Sequence, residues 1–156
     1  MKLVIDDTLT YLTEVESKTT TLILEPFYTE DATSDNAIGM DIIIGNGVDE
    51  IAAGFVLFFE VKADITVDTV TLLANASGSI VIDLWKDSYA NYPPTSEDSI
   101  CATSKPTLSG AAKSMQTTFI GWDTTWAEGE IIGVNVDSAT TVKQVTLAIR
   151  GTRTVS

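Results

Sequence analysis

The chain has 156 residues, 44% of them hydrophobic, which fits one folded domain and excludes general disorder. It has no histidine and one cysteine, Cys101, which excludes Ser-His-Asp and Cys-His catalysis, an internal disulfide and a zinc site made of His and Cys. The net charge of −13 argues against a nucleic-acid partner, because binding to phosphates needs cations.

Neither a membrane span nor a signal peptide is predicted. No stretch approaches the roughly 20 apolar residues that a membrane-spanning helix needs, so we expect no membrane partner. Residues 1–7 become acidic after three apolar residues, which leaves no room for a signal-peptide core. We therefore expect synthesis in a cytoplasm without a secretion signal.

Residues 1–40 contain short strand-like runs, at 3–5, 9–12 and 19–24, separated by polar turns. Threonine is frequent in these runs, and it suits a pleated strand better than a helix. Because large apolar residues are too few for a separate core, we predict a strand-forming docking arm that pairs with another chain. Its candidate contact residues are Leu3, Ile5, Leu9, Tyr11, Leu22 and Leu24.

The negative charge is concentrated at the beginning of the chain. Residues 1–60 hold twelve acidic side chains against only Lys2 and Lys18. Two interpretations remain open: the two parts of the chain face different neighbours, or the acidity only keeps the protein in solution.

Residues 41–156 carry dense strand signals and are predicted to form one domain. We expect strands at 55–61, 65–68, 70–73 and 80–85, with a hairpin turn at 75–78. The apolar run at 55–61 is typical of a strand covered on both faces. A long irregular segment at 86–112 is followed by strands at 116–122, 131–136 and 142–150. Since no segment has helical periodicity, we predict an all-β, jelly-roll-like β-sandwich.

Carboxylates are the catalytic groups that remain, and their pattern does not indicate an active site. Asp83, Asp87, Glu97 and Asp98 are interpreted as solvated acids on strand faces and loop tips, because no cleft is indicated. The acidic pairs at 6–7 and 49–50 offer oxygen ligands for calcium, but no Asp-x-Asp-x-Asp-Gly loop is present. We therefore predict no enzyme activity, no cofactor and no metal.

Two aromatic groups are the candidate binding residues. Trp122 and Trp126 would lie on one face of a strand, about 13 Å apart, where they could stack on sugar rings. The alternative is that one belongs to the core and the other packs under a loop. Tyr89 and Tyr92, followed by two prolines, either lock the long loop or form a partner-binding patch.

The sequence also resembles a domain that recurs in virion proteins of tailed bacteriophages. The resemblance lies in GSIVIDLWKDSYANYPPT (78–95), KPTLS (105–109), Trp122 and VNVDSATTV (134–142), and it covers about residues 45–150. It implies a β-sandwich of the kind found in tail-fibre, tail-tip or head-surface proteins, and it supplies no catalytic residues.

The resemblance, together with a short arm and one sandwich, leads to a functional expectation. We expect a capsid decoration (cement) protein on the virion surface, made in the host cytoplasm and docked on the major capsid protein. A homotrimer is expected from the resemblance and from the prevalence of closed symmetric assemblies. The alternative is a tail-fibre or tail-tip module that binds a host receptor or glycan.

Overall fold

A computed structural model describes residues 3–5, 8–10 and 36–154. The chain divides into two units, Met1–Asp35 and Asn36–Ser156, and each is described by itself. The described residues form nine strands, two short 3₁₀ turns (Tyr89–Asn91 and Ser96–Asp98) and no helix able to cross a membrane. The strands are β1 (Leu3–Ile5), β2 (Thr8–Thr10), β3 (Ala37–Ile44), β4 (Gly54–Glu60), β5 (Ile65–Asp87), β6 (Thr107–Gln116), β7 (Thr125–Trp126), β8 (Ile131–Thr140) and β9 (Val145–Arg153).

The described part of the first unit is a small antiparallel hairpin. Strands β1 and β2 pair with Leu3 opposite Thr10, Val4 opposite Leu9 and Ile5 opposite Thr8. The strands predicted at 3–5 and near residue 9 are therefore confirmed, and they pair with each other. The strand predicted at 19–24 lies outside the described residues, as do the arm candidates Tyr11, Leu22 and Leu24.

The second unit is built around β5, a strand of 23 residues. The first part of β5 pairs with β9 and the last part pairs with β8. Beyond them, β3 pairs with β9 and β4 pairs with β8, all antiparallel. Strand β6 lies on the other side of β5 and spans the middle of it. Turns at residues 45–53 and 141–144 separate β3 from β4 and β8 from β9, and both turns lie level with residues 75–78 of the continuous strand β5.

The curl of this sheet closes the domain around one core. Apolar side chains from both halves of the sheet belong to a single buried cluster, for example Leu72 and Leu147 from one half and Leu84 and Val134 from the other. Because both halves contribute their inner faces to the same cluster, the sheet folds over on itself as a sandwich. The predicted all-β, sandwich-like fold is confirmed.

Alternation along the strands determines which side chains enter the core. In β9, Val145, Leu147 and Ile149 are buried, while the residues between them face outward, as predicted. In β5, residues 80, 82 and 84 are buried on the core side, although Asp83 between them is buried as well. Each fully buried aliphatic side chain contributes roughly 1.5–3 kcal/mol of transfer free energy, so these rows stabilise the sandwich.

The hairpin turn predicted at residues 75–78 is wrong, because β5 continues through it. Residues 75–77 are exposed and polar or small, which resembles a turn in the sequence. In the fold, β8 and β9 follow one another along the same side of β5, so the chain keeps a partner before and after these residues. A shift of the β5–β6 register marks the place.

Three other predicted elements differ from the structure. Strand β4 is an edge strand that pairs with β8, and its Phe55 is 49% exposed, so it is not covered on both faces. The irregular segment ends at residue 106, because β6 begins at Thr107. Strand β6 ends at Gln116, so the strand predicted at 116–122 is not formed.

The sandwich begins earlier in the chain than the sequence pattern suggested. Strand β3 begins at Ala37, so residues 37–40, which were assigned to the arm, belong to the sheet. Gly39 and Asp41 interrupt the apolar residues that precede the buried Ile42 and Ile44. This interruption weakens the strand signal in the sequence. The sandwich therefore occupies residues from 36 onward.

Candidate binding surface

Aromatic side chains cover the outer face of the half of the sheet formed by β4, β8 and the last part of β5. Phe58 of β4 and Trp85 of β5 both lie opposite Gly133 of β8, so the three residues form one row across the strands. A Cβ atom at Gly133 would be 3.0 Å from Phe58 Cε1 and 3.4 Å from Trp85 Cε3. The glycine therefore lets the two rings close over the backbone of β8.

Further rings extend this row toward solvent. The centroids of Phe55 and Phe58 are 4.2 Å apart, and the ring of Tyr92 meets Phe58 edge-on at 5.1 Å. Phe55 and Tyr92 are about half exposed, and Tyr89 is 78% exposed. We call Phe55, Phe58, Tyr89 and Tyr92 the aromatic surface. The two phenylalanines and the two tyrosines are more than 30 residues apart in sequence, and only the fold brings them together.

The two tyrosines are presented by a 3₁₀ turn that Asp87 holds in place. One oxygen of Asp87, Oδ1, accepts hydrogen bonds from the Ser88 backbone N–H at 2.6 Å and from Asn91 Nδ2 at 3.0 Å. These bonds, chiefly the one from Asn91, lower the pKa of Asp87. Tyr89 begins the turn and Tyr92 follows it, and both residues line one open cleft.

The loop that follows is anchored at Pro94, which is buried, whereas Pro93 is exposed. Tyr92 contacts Phe58. A buried proline thus fixes the loop and the tyrosines stay accessible, while partner binding by the tyrosines stays a prediction. An open cleft of about 410 Å³ is lined by Phe58, Phe59, Glu60, Tyr89, Tyr92 and Ile131.

The two tryptophans do not form the stacking pair considered from the sequence. Trp126 is 1% exposed; its Nε1 donates to the Asp123 carbonyl at 3.3 Å. Trp122 lies outside β7 and is half-buried; its Nε1 donates to the Ser104 carbonyl at 2.8 Å. Trp126 therefore offers no face to a ligand, and the alternative of one core ring and one ring under a loop describes what is found.

Asp83 is buried, contrary to its interpretation as a solvated acid. Its carboxylate is 2.9 Å from Lys105 Nζ and accepts hydrogen bonds from Ser99 Oγ at 2.6 Å and Trp85 Nε1 at 3.1 Å. Lys105 Nζ also lies 2.7 Å from Asp137 Oδ2. Hydrogen bonding to Asp137 is the main cause that raises the pKa of Lys105. This network ties the segment after residue 98 to β5.

The single thiol is isolated from solvent. Cys101 is fully buried, and burial raises its pKa to about 12. Because the thiolate is the reactive form, Cys101 is not suited to nucleophilic chemistry.

The candidate calcium ligands at residues 49–50 belong to a turn closed by its own hydrogen bonds. Asn46 Oδ1 accepts from the backbone N–H groups of Val48 and Asp49, and Asn46 Nδ2 donates to Asp49 Oδ2, each at 2.9 Å. Within residues 36–154, no three acidic or cysteine side chains come together as a metal site. The pair at 6–7 lies outside the described residues.

No protein-family model and no curated protein matches this chain. Among solved structures, that of infectious bursal disease virus, Gx strain, is similar over 78% of this chain, with 7% identity and a TM-score of 0.25. The match spans 38% of that chain's own length. A similarity this low carries no argument, so the resemblance to tailed-phage virion domains stays a prediction from the sequence.

Proposed function

We propose that this chain is a structural, non-enzymatic protein of a tailed-phage virion, and specifically a decoration protein docked on the head. The observation that carries the proposal is the division of the chain into Met1–Asp35 and a sandwich from Asn36 onward. Each strand of the sandwich, from β3 to β9, finds a pairing partner within residues 36–154. The strands described in the sandwich are thus paired among themselves, and we propose the first unit as the docking segment.

The first unit has the composition of a segment that recognises a partner through its backbone. Its described residues are short strands, β1 and β2, and an extended segment can add to an exposed sheet edge of another protein by main-chain hydrogen bonds. We propose the major capsid protein as that partner and a closed homotrimer as the assembled form. The sandwich would then face outward on the virion surface.

The test is binding of purified protein to undecorated capsids, measured by co-sedimentation. We expect deletion of residues 1–35 to abolish binding, because the docking strands are removed while the sandwich keeps its core. The deletion ends at Asp35 because the Asn36 carbonyl accepts a hydrogen bond from the Arg153 N–H. The full chain with Ile120→Asp, at a 72% exposed position of the sandwich, is the matched control and is expected to bind normally.

A tail-fibre or tail-tip module that binds a host receptor is the second candidate, and the exposed aromatic surface is the observation that favours it. Immunogold labelling of intact virions separates the two candidates. Label distributed over the head supports decoration, whereas label confined to the tail supports the receptor-binding module.

A further inference from the structure

We propose that the aromatic surface is a saccharide-binding site, with Tyr89, Tyr92 and Phe58 forming the platform and Glu60 at its rim. The inference goes beyond docking on the head and does not depend on the position of the protein in the virion. Of the candidate binding residues considered from the sequence, it keeps Tyr89 and Tyr92 and leaves out Trp122 and Trp126.

The shape of the site suits a sugar ring. Sugars present patches of C–H groups that pack on the faces of aromatic rings, and tyrosine combines a large apolar area with a polar hydroxyl. The cleft of about 410 Å³ between the tyrosines and the end of β4 falls within the usual size range of ligand sites. Phe58 forms its floor and is itself held between Phe55 and Gly133.

Polar groups at the rim can bind sugar hydroxyls. The side chain of Glu60 is 48% exposed and lines the cleft, and its Oε2 lies 2.5 Å from Lys62 Nζ. A carboxylate accepts hydrogen bonds and an ammonium group donates them, while the tyrosine hydroxyls do both. Apolar rings with donors and acceptors beside them match the alternating C–H and O–H surface of a saccharide.

The charge near the cleft indicates which sugars bind. Glu60 lines the cleft, and Asp87 lies at the base of the turn that carries Tyr89. Glu97 and Asp98 follow in the loop after this turn. Because these acidic side chains lie beside the cleft, we expect sialylated or sulfated sugars to be repelled. We therefore assign neutral hexoses and N-acetylhexosamines as the ligand class.

Contacts within the chain hold part of the site in place. The hydrogen bonds that Asp87 accepts fix the turn carrying Tyr89, and the edge contact with Phe58 fixes Tyr92. Side chains that are already held in place lose less conformational entropy when a ligand binds. This lowers the cost of binding a ligand in an open cleft, where contacts are few.

The test is binding of the full chain to an array of immobilised oligosaccharides containing neutral hexose and N-acetylhexosamine units, alongside their sialylated forms. We expect binding to neutral sugars and weaker binding to the sialylated forms. Tyr89→Ala and Tyr92→Ala should each weaken it about tenfold, the equivalent of about 1.4 kcal/mol. Tyr92→Phe keeps the ring and is expected to bind within about threefold of wild type.

The matched control is Met115→Ala, which changes a 67% exposed side chain on β6, outside the cleft, and should leave binding unchanged. Because Tyr89 is 78% exposed, its substitution tests the surface without disturbing the core, and thermal unfolding of each variant checks this. Lack of wild-type binding to any neutral sugar, or full binding by Tyr89→Ala, would overturn the proposal. Loss of capsid binding in Tyr89→Ala, with no sugar binding, would instead make the surface a protein contact.

Discussion

At the scale of single residues, Asp83 illustrates how the fold turns a surface-type side chain into a buried one. It is 2% exposed, and its carboxylate meets Ser99 Oγ, Trp85 Nε1 and Lys105 Nζ. A buried carboxylate without a cation is strongly unfavourable. Lys105 therefore neutralises the buried carboxylate of Asp83. The same carboxylate accepts a hydrogen bond from Ser99 and so fixes the loop that carries it.

Replacing Lys105 should be costly, whereas replacing an exposed lysine should not. We expect Lys105→Met to lower the free energy of unfolding by about 3 kcal/mol, because Asp83 keeps its charge without a partner. The control, Lys62→Met, removes an exposed pair with Glu60 and should change stability by less than about 1 kcal/mol. Urea unfolding measures both, and equal effects of the two substitutions would contradict the assignment.

The same pair predicts a dependence on alkaline pH. The pKa of Lys105 is raised above its ordinary value of 10.5 in the folded state, so the folded chain binds this proton more tightly than the unfolded chain. The stability that Lys105 contributes is complete below pH 10.5 and is lost as pH rises through the raised pKa. The stability difference between wild type and Lys105→Met should shrink over that range, and a constant difference would contradict the pairing.

At the scale of elements, the length of β5 decides the architecture. One strand pairs with β9, β8 and β6, so it joins both layers of the sandwich. The passage between the layers lies at residues 75–78, where the chain comes close to the break between β8 and β9. Gly78 is the contact point, and its missing side chain leaves room for Thr141 and Val142.

Adding a side chain at Gly78 should destabilise the fold. A Cβ atom there would lie 2.6 Å from Thr141 Oγ1 and 2.8 Å from the Thr140 carbonyl oxygen, so backbone must move. We expect Gly78→Ala to cost about 2 kcal/mol, as overpacking does elsewhere. Gly39→Ala is the control, since its nearest neighbour would be 3.6 Å away, and chemical denaturation should find it near wild type. Equal stability of the two variants would contradict the close contact.

At the scale of the whole molecule, the proposed assembly makes a prediction about mass. We expect light scattering on the purified full chain to give about three times the chain mass of 16.7 kDa, because closed symmetric oligomers are the common form of soluble assemblies. A fragment of residues 36–156 measured in parallel identifies which unit holds the copies together. A monomer mass for the full chain at micromolar concentration would contradict the trimer.

Much of the fold follows from local pattern. The alternation in β9 and the apolar residues 80, 82 and 84 of β5 predict which side chains enter the core, because successive residues of a strand face opposite sides. Alternation does not predict the burial of Asp83 on the other face of β5. Local pattern does not predict two of the element boundaries. Residues 75–78 resemble a turn but continue β5, and β3 lacks a clean alternating signal. In both places the partner strands, which are distant in sequence, decide the outcome.

The sequence by itself determined the absence of histidine, the acidic character and the all-β class, because these depend only on composition and on the period of apolar residues. Tertiary structure alone decided that Trp126 is buried, that Asp83 meets Lys105 and that Tyr92 meets Phe58. These features depend on residues that are far apart in the chain. They exist because the curled sheet and its loops bring those residues together.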